Sequence, residues 1–407
     1  MINTNLSILA IRFKGCTKAW EQRELGEIYT ERNERGNDSL KILSVSIHHG
    51  VSNEELGNNT LGKKVRRSED KTLYKHVYFG DLVLNMMRAW QGAIGVSKSE
   101  AMVSPAYITA IPSAQLYPLF MDCYLRTDKM IGQMNNLSYG VTDFRKRLYW
   151  DSFIKVECYI PTVFEQERIT SFFNHFDRRI DLHKQQLDNF TEFKKVILLK
   201  IFNRELRFKD DGGKDFPEWD EICLGMVGSL LNGYAFKSNE YSSDGKYKVV
   251  TISNVTGKRY ADTSKTNRMN SLPLNIQEHQ MLEKGDILIS LTGNVVRVSM
   301  VNDENCVLNQ RVGLLKLESE RVNHEYIYQY LKNGIFEAKM IQSGQGAAQA
   351  NISKGNIEEY DLLLPCKKEQ LKISKLLFEL EEKTLTIEMK ILKLRELKKG
   401  LIQQTLV

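Results

Sequence analysis

Clustered cysteines, long apolar runs and sets of histidine ligands are what this sequence of 407 residues lacks. Its six cysteines are scattered with no C-x-x-C pair, which argues against a structural zinc site or a disulfide framework and fits a reducing cytoplasm. No run approaches the roughly 20 apolar residues of a membrane span. The opening segment lacks a basic region before its short apolar run, so we expect neither a signal peptide nor a lipidation site. These absences favour a cytoplasmic protein without a metal centre.

Motifs of common catalytic sites are missing as well. There is no Asn-Pro-Pro-Tyr or Asp-Pro-Pro-Tyr motif, with which amino-methyltransferases hold a flipped base, and no glycine-rich turn suited to S-adenosylmethionine. Residues 57–64 match the spacing of a phosphate-binding loop until Lys64, which replaces the Ser or Thr that would hold magnesium. We therefore predict no catalytic residue in this chain, and any methylation would need a partner.

What the sequence does contain is an internal repeat with an offset of 204 residues. A repeat that long indicates a duplicated domain rather than a solenoid unit. Further landmarks recur at similar offsets. The repeated sets are Pro161, Glu165, Gln166 and Ile169 with Pro365, Glu369, Gln370 and Ile373; Arg12-Phe13-Lys14 with Arg207-Phe208-Lys209; Trp20, Leu25 and Gly26 with Trp219, Leu224 and Gly225; and Gly80-Asp81 with Gly285-Asp286.

Each repeat ends in a heptad pattern that predicts a long helix with a coiled-coil seam. Thr162 followed by Glu165 has the spacing of a capping box at the start of the first helix. Each seam also carries one lysine, Lys194 or Lys398, whose charge we expect to extend into solvent. The apolar seam positions are Ile169, Phe173, Phe176, Ile180, Leu187, Phe190 and Ile197 in the first helix, and Ile373, Leu377, Leu380, Ile387, Ile391, Leu394 and Leu401 in the second.

Between the helices, short apolar runs with period two predict strands bounded by Gly, Asn, Asp and Ser turns. The predicted fold is α+β, with two mixed, strand-rich domains separated by two long antiparallel coiled-coil helices in a pseudo-twofold arrangement. The linker at 210–214 leads from the far end of the first helix into the second domain, and the second helix leaves from there. To pack its seam without a long return loop, the second helix must therefore run antiparallel to the first. The predicted domain limits are 1–163, 164–206, 207–364 and 365–407.

Positive charge lies mainly in loops of the two strand-rich domains. The net charge is +6 and the pI is about 8.8, a balance that makes an acidic partner plausible without requiring one. The basic groups are Lys63-Lys64-Val65-Arg66-Arg67, Arg145-Lys146-Arg147 and Lys258-Arg259-Tyr260. A polar segment at 342–351, rich in Gly, Gln and Asn, could approach a duplex closely and pair with adenine edges, or could be a simple loop.

In these features the chain resembles the specificity subunits of type I restriction-modification systems over essentially its whole length. The matching motifs are the Trp-x4-Leu-Gly opening of each repeat, the Gly-Asp turns, the Pro-x3-Glu-Gln-x2-Ile helix starts, and Gly344-Gln345-Gly346 followed by Asn351-Ile352-Ser353. The resemblance implies that each strand-rich domain reads one half of a split DNA site while the helices space the halves. It also implies two methyltransferase subunits and restriction or translocase subunits as partners, with S-adenosylmethionine, ATP and magnesium bound there and no cofactor in this chain.

Residues that contact DNA cannot be transferred by motif, because the two repeats diverge where sequence reading would occur. Candidates are therefore chosen by chemistry, as cations for phosphates and guanines and as amide or aromatic groups for bases. They are Lys64, Arg66, Arg67, Arg88, Tyr139 and Arg145 in the first repeat, and Lys237, Arg259, Arg268, Arg297, Arg311 and Gln345 in the second. A coiled-coil scaffold whose end domains bind proteins remains the alternative, and a specificity subunit without an active partner is a third possibility.

Overall fold

The computed structural model describes residues 12–47, 50–52, 73–140, 146–292, 296–343 and 352–406. The chain forms two compact units. Unit 1 consists of Met1–Lys184 with Met389–Val407, and unit 2 of Gln185–Glu388. Each unit contains part of both long helices. The two compact units therefore do not coincide with the four predicted segments, and the predicted limits of the functional domains stay a prediction. In the described part of the chain, no helix is long and apolar enough to cross a membrane.

Unit 1 is a mixed unit of short strands, two of which coincide with period-two apolar runs, at 43–47 and 82–86. Its strands are β1 Glu21–Glu24, β2 Tyr29–Glu31, β3 Ile42–Ser46, β4 Gly50–Ser52, β5 Lys75–Val77, β6 Leu82–Asn85, β7 Ile94–Val96, β8 Ala101–Val103, β9 Tyr107–Pro112 and β10 Glu157–Ile160. Its helices are α1 Leu25–Ile28, α2 Pro118–Tyr124, α3 Asp128–Leu137, α4 Trp150–Phe153 and the first part of α5 Val163–Phe202.

Unit 2 follows the same order. Its strands are β11 Asp220–Cys223, β12 Gly228–Asn232, β13 Tyr247–Val250, β14 Arg268–Met269, β15 Met281–Leu282, β16 Ile287–Ser290, β17 Val298–Met300, β18 Cys306–Leu308, β19 Val312–Leu317 and β20 Asp361–Leu364. Its helices are α6 His324–Leu331, α7 Gly334–Ser343, α8 Lys354–Glu358 and the first part of α9 Lys367–Leu406.

The two units have the same sheet topology. In unit 1, sheets of four strands have the orders β2-β9-β6-β7 and β4-β3-β8-β5, and β1 pairs with β10. In unit 2 the orders are β12-β19-β16-β17 and β14-β13-β18-β15, and β11 pairs with β20. The parallel pairs also correspond, since β3 runs parallel to β8 and β13 runs parallel to β18. The duplication predicted from short motifs therefore extends to every described strand.

Both long helices have 40 residues, which at 1.5 Å per residue gives a length of about 60 Å. In unit 1, Leu401 and Leu406 near the end of α9 pack on the core that contains Ile169 at the start of α5. In unit 2, Ile201 near the end of α5 packs with Ile373 at the start of α9. The helices are therefore antiparallel, as predicted. All the apolar seam residues chosen from the sequence are buried or half-buried.

The start of α5 differs in one respect from the capping box that the sequence predicts. Thr162 Oγ1 accepts a hydrogen bond from the Glu165 amide at 3.4 Å, as the box requires. The Glu165 carboxylate, however, accepts two hydrogen bonds from the Arg12 guanidinium, at 3.1 and 2.6 Å. The same arrangement recurs in unit 2, where Glu369 accepts from Arg207 at 3.3 and 3.0 Å. Because a charge-assisted pair is stronger than a neutral hydrogen bond, the carboxylate holds the segment before β1 or β11 instead of capping its own helix.

The repeated glutamine next to this glutamate is fully buried and joins three segments of its unit. Gln370 donates to the carbonyls of Arg321 (3.0 Å) and Pro365 (2.7 Å) and accepts from the amide of Asn323 (2.6 Å). Asn323 is the N-cap residue of α6. In unit 1, Gln166 makes the same three bonds, to the carbonyls of Gln115 and Pro161 and from the amide of Tyr117, which precedes α2. Each long helix therefore fixes the start of a shorter helix in its unit.

The backbone conformation of the repeated Gly-Asp turns explains why glycine recurs there. Gly80 and Gly285 adopt φ values of 95° and 97°, a left-handed conformation that favours glycine. Their amides donate to the carbonyls of Ser97 and Val301 at 2.8 Å in both cases. These turns set the start of β6 and β16, whose far ends carry the loops described below.

Gln370→Ala should destabilise unit 2 by about 3 kcal/mol, because the amide of Asn323 and two carbonyls lose their partner within the protein. Hydrogen–deuterium exchange with mass spectrometry checks this. Peptides covering α6 should exchange about a hundredfold faster, since each 1.4 kcal/mol is a factor of ten, while peptides covering α2 should not change. Lys375→Ala, at an exposed position of α9, is the control. Equal exchange in both variants would contradict the role of Gln370.

Candidate nucleic-acid interface

In each unit, an equivalent backbone hydrogen bond joins two loop segments, and we call this bond the joint. In unit 1 the Leu148 amide donates to the Met86 carbonyl at 2.9 Å, and in unit 2 the Ile352 amide donates to the Leu291 carbonyl, also at 2.9 Å. Met86 and Leu291 directly follow β6 and β16. The joint therefore places the segment before α4 or α8 against the loop of a β-hairpin. Candidates chosen from separate parts of the sequence become neighbours at this joint.

In unit 1 the joint carries a surface of cations and aromatic rings, which we call the basic-aromatic face and define as Arg88, Trp90, Tyr139, Lys146, Arg147 and Tyr149. Lys146 Nζ lies 5.4 Å from the centre of the Trp90 ring and donates to Asn135 Oδ1 at 2.6 Å. The Tyr139 ring is 53% exposed and stacks on Tyr149, with 4.8 Å between the ring centres. The rings are thus held in place while one of them stays accessible.

The two arginines of this face supply charge. Arg88 and Arg147 are exposed, and no ion pair to either guanidinium is found among the described residues. Arg147 is held by its backbone, since its amide and carbonyl each bond to Tyr139 at 3.0 Å. Exposed guanidinium groups beside an accessible tyrosine are suited to phosphate oxygens and base edges.

Sequence reasoning identifies part of this face. Arg88 and Tyr139 are among the candidates, and Lys146 and Arg147 are recognised only as part of a basic group. Trp90 and Tyr149 are missed, because their roles depend on the tertiary contact between two loops and leave no signal in the local sequence. Lys64, Arg66, Arg67, Arg145 and Gln345 lie outside the described residues.

In unit 2 the end of β16 has an exposed arginine on each side. The Ser290 amide donates to the Arg297 carbonyl at 3.0 Å, and the Leu291 amide donates to the Arg311 carbonyl at 3.1 Å. Both arginine side chains are exposed. Gln310, which is not among the candidates from the sequence, is exposed beside Arg311. The connection from β18 to β19 thus presents an amide and a guanidinium next to the hairpin loop, which are the groups that pair with adenine and guanine.

Two further candidates in unit 2, Lys237 and Arg268, have no described hydrogen bond to Arg297 or Arg311. Lys237 is exposed and precedes a single helical turn at Ser238–Glu240. Arg268 is half-buried in β14, where its carbonyl accepts from the Ser242 amide at 2.9 Å. Both therefore remain predictions of DNA contact on the basis of charge alone.

Arg259 is the candidate that the structure argues against, because its side chain points into unit 2 and is only 6% exposed. It donates to both carboxylate oxygens of Glu325, at 2.9 and 2.6 Å, and to Glu381 at 2.7 Å. The carbon at the centre of its guanidinium lies 4.6 Å from the centre of the Phe378 ring. A guanidinium engaged in this way cannot reach a duplex, so we withdraw Arg259 as a DNA contact. In the sequence it looks like its exposed neighbour Lys258.

Arg259 belongs to a set of buried and half-buried charged and polar side chains. We call it the Arg259 network and define it as Arg259, Glu325, Gln329, Lys332, Glu381 and Lys194. Glu381 on α9 is its centre, because it accepts from Lys332 at 2.9 Å and from Gln329 at 3.0 Å and lies 3.6 Å from Lys194. Lys194 therefore pairs with an acid instead of extending into solvent, contrary to the expectation. Lys398, the equivalent lysine, likewise donates to Asp177 in unit 1, at 2.5 Å.

The network shifts the ionisation of its members. Burial alone would raise the pKa of Glu381, but the charges of Lys332 and Lys194 and hydrogen bonds from Lys332 and Arg259 lower it from 4.5 to about 2. Burial alone would lower the pKa of Arg259, and its hydrogen bonds to Glu325, Tyr260 and Glu381 raise it above its ordinary value. Both groups are therefore charged throughout the physiological range. Their role is to hold structure, since neither has a free side to offer to a ligand.

Comparison with known proteins shows what the chain is similar to. Residues 217–396 match the family model of the type I restriction modification DNA specificity domain. The type I restriction enzyme MjaVIII specificity subunit of Methanocaldococcus jannaschii is 26% identical over 233 residues, which cover 54% of this chain and 53% of that protein. The MjaIX specificity subunit of the same organism is 20% identical over 333 residues, covering 79% and 75%. The chain spans about half the length of the first of these relatives.

Solved structures agree on the fold. The S subunit of a type I restriction-modification system from M. genitalium has a TM-score of 0.56 at 14% identity, with 97% of this chain and 98% of that chain covered. A chain from a study of complex assembly and conformational transition of the type I R-M system has a TM-score of 0.58 at 14% identity, covering 96% and 98%. The resemblance to type I specificity subunits is confirmed by the family model and the curated relatives, and the fold by these structures.

The ionisation of Glu381 leads to a prediction of pH dependence. Because its pKa is about 2 in the folded state and ordinarily 4.5, the unfolded chain binds more protons between these values, and stability rises with pH across this window. The contribution, on the order of 3 kcal/mol, is present above pH 4.5 and is lost as pH falls towards 2. Urea unfolding followed by circular dichroism at a series of pH values measures it.

Glu381→Gln should flatten this dependence, whereas Glu379→Gln, a change at an exposed position two residues away, should leave it intact. An unchanged slope in Glu381→Gln would show that other carboxylates account for the acid sensitivity of the protein.

Proposed function

We propose that this chain is the DNA-specificity subunit of a type I restriction-modification complex, in which each unit reads one half of a split DNA sequence. The observation that carries the proposal is a duplicated scaffold with different side chains at equivalent places. The joint between Leu148 and Met86 corresponds to the joint between Ile352 and Leu291. Around the first joint lie the residues of the basic-aromatic face, and beside the second lie Arg297, Gln310 and Arg311. Equal scaffolds with unequal contacts are suited to a site whose two halves differ.

The proposed division of labour follows from the chemistry of the exposed groups. Arginine and lysine side chains that contact phosphates provide affinity without sequence information, whereas amide and guanidinium groups at base edges provide discrimination. Arg88 and Arg147 in unit 1, and Arg297 and Arg311 in unit 2, are exposed and available for either role. Tyr139 adds an accessible aromatic ring in unit 1.

We further propose that the long helices dock two methyltransferase subunits. In unit 2, α5 has exposed apolar side chains at Phe193 (50%), Val196 and Leu199. These residues follow one another at intervals of three and form one stripe on a helix. Phe172, an apolar residue of α5 in unit 1, is partly covered by Phe13. Methyl transfer, with S-adenosylmethionine, and translocation, with ATP and magnesium, would take place in the partner subunits.

The experiment that tests this function is to co-express the chain with its modification subunit in a host without adenine methylation and to map modified adenines across the genome. We expect one split motif, with two short specific halves separated by an unspecified gap of fixed length. A stable complex that modifies no DNA would contradict the proposed activity of this pairing. Absence of any complex would favour a scaffold that binds other proteins.

Substitutions at the two joints should act on different halves of that motif. Arg297→Ala should relax or weaken recognition in one half, and Arg88→Ala in the other, each with a loss of about 1–3 kcal/mol if the side chain contacts a base. The readouts are the methylated motif and the affinity of the purified complex for a duplex that contains it.

If the same arginine contacts a phosphate instead, the motif should stay unchanged and the slope of log affinity against log salt should fall by about 0.9. Lys383→Ala removes one positive charge at an exposed position of α9 and is the control. Arginine variants that behave like Lys383→Ala in both readouts would exclude these joints from the DNA interface.

A further inference from the structure

The loop that contains Arg259 runs along the outer strand of the hairpin in unit 2. The Met300 amide in β17 donates to the Arg259 carbonyl at 2.7 Å, and the Ala261 amide donates to the Met300 carbonyl at 2.9 Å. Gly257 has a φ of +80°, and a Cβ atom at this glycine would lie 3.7 Å from Cγ of Arg297. The loop therefore lies beside a candidate DNA-binding arginine at its start and is bonded to β17 at its end.

The side chains of this loop alternate between two directions. Lys258 and Tyr260 are exposed, whereas Arg259 between them is buried. The Arg259 guanidinium bridges Glu325 in the first turn of α6 and Glu381 on α9. The Arg259 side chain thus attaches the loop to the short helix α6 and to the long helix α9.

Only a guanidinium suits this position. A planar group with several fixed N–H donors can bond both oxygens of one carboxylate and still reach a second carboxylate, while a lysine ammonium is a compact point charge. The ring of Phe378 covers one face of the guanidinium at 4.6 Å, a contact that also favours arginine. Arg259→Lys would keep the charge and lose the simultaneous bridge.

The position equivalent to Glu381 in unit 1 behaves differently. Asp177 accepts from Lys398, and no bond between Asp177 and an arginine of a loop is found among the described residues. The lysine–acid pair is therefore common to both units, whereas the attachment of a loop through arginine is described in unit 2. Lys398→Met is consequently a matched control that removes a seam ion pair without touching this loop.

We infer that Arg259 is a positioning residue for DNA recognition. It fixes loop 256–262 on α6 and α9 so that Lys258, Tyr260 and Arg297 present one defined surface to the half-site read by unit 2. This inference rests on the proposed function. It assigns to a buried arginine a part in specificity without any contact to DNA.

The test uses the complete complex and the methylated motif, because its two halves serve as mutual controls. In Arg259→Lys, discrimination at one or more positions of one half should fall at least tenfold, and the other half should stay strict. Glu325→Gln, which removes the charge of the α6 partner at nearly constant shape, should relax the same half. This second variant keeps the test valid if Arg259→Lys does not fold. Lys398→Met should keep strict recognition in the half that the Arg259 and Glu325 variants relax.

A purely structural role would give a different result. Strict recognition of both halves by Arg259→Lys and Glu325→Gln, with or without less methylation overall, would overturn the inference, as would relaxation of both halves together. Failure of the proposed function is recognised separately, since the unsubstituted complex would then show no split motif.

Discussion

A buried glutamine at the start of each long helix is the interaction on which the remaining structure depends. The side-chain amides of Gln166 and Gln370 each make three hydrogen bonds. The Nε2 group donates to two backbone carbonyls, and Oε1 accepts from one backbone amide. The acceptor bond holds the residue that precedes α2 or α6. Because a fully buried amide with three partners tolerates little displacement, the long helix, the shorter helix and the strand before the proline move as one body. This body in turn fixes the position of the loops that follow β6 and β16.

Duplication of this body explains how one chain can present two different surfaces at equivalent places. The bonds that repeat are those of the backbone and of buried polar side chains, such as the bonds of the two glutamines and the Arg–Glu pair before each sheet. Among the groups that differ, the arginines of the two surfaces are exposed, so substitutions there cost little stability. The residues proposed to recognise DNA can therefore diverge between the units while the scaffold stays the same. Arg259 is the exception, because a basic loop residue has become part of the buried scaffold of unit 2.

The sequence predicts the parts of this fold whose signals are local or repeated. Heptad spacing identifies α5 and α9 to within a few residues, and the recurrence of Pro, Glu, Gln and Ile at one offset of 204 residues reveals the duplication. The sequence does not distinguish Arg259 from Lys258, because the acids that bury Arg259 lie 66 and 122 residues further along the chain. Trp90 and Tyr149 are missed for the same reason. Contacts between residues far apart in the sequence decide which charged groups and rings face solvent. Such contacts leave no periodic pattern in the sequence.

The seam lysines show how a small difference between the repeats has a large structural effect. Lys194 and Lys398 occupy equivalent places and each meets an acid. Within a mainly apolar seam, such a pair favours one register, because a shifted helix would leave a charge facing apolar side chains. Fixing a register is the best-attested use of buried polar groups. Glu381 is one methylene longer than Asp177. That extra reach lets one carboxylate bind Lys194, Lys332 and Arg259 together. In unit 2 the group that sets the helix register therefore also holds a loop of the proposed recognition surface.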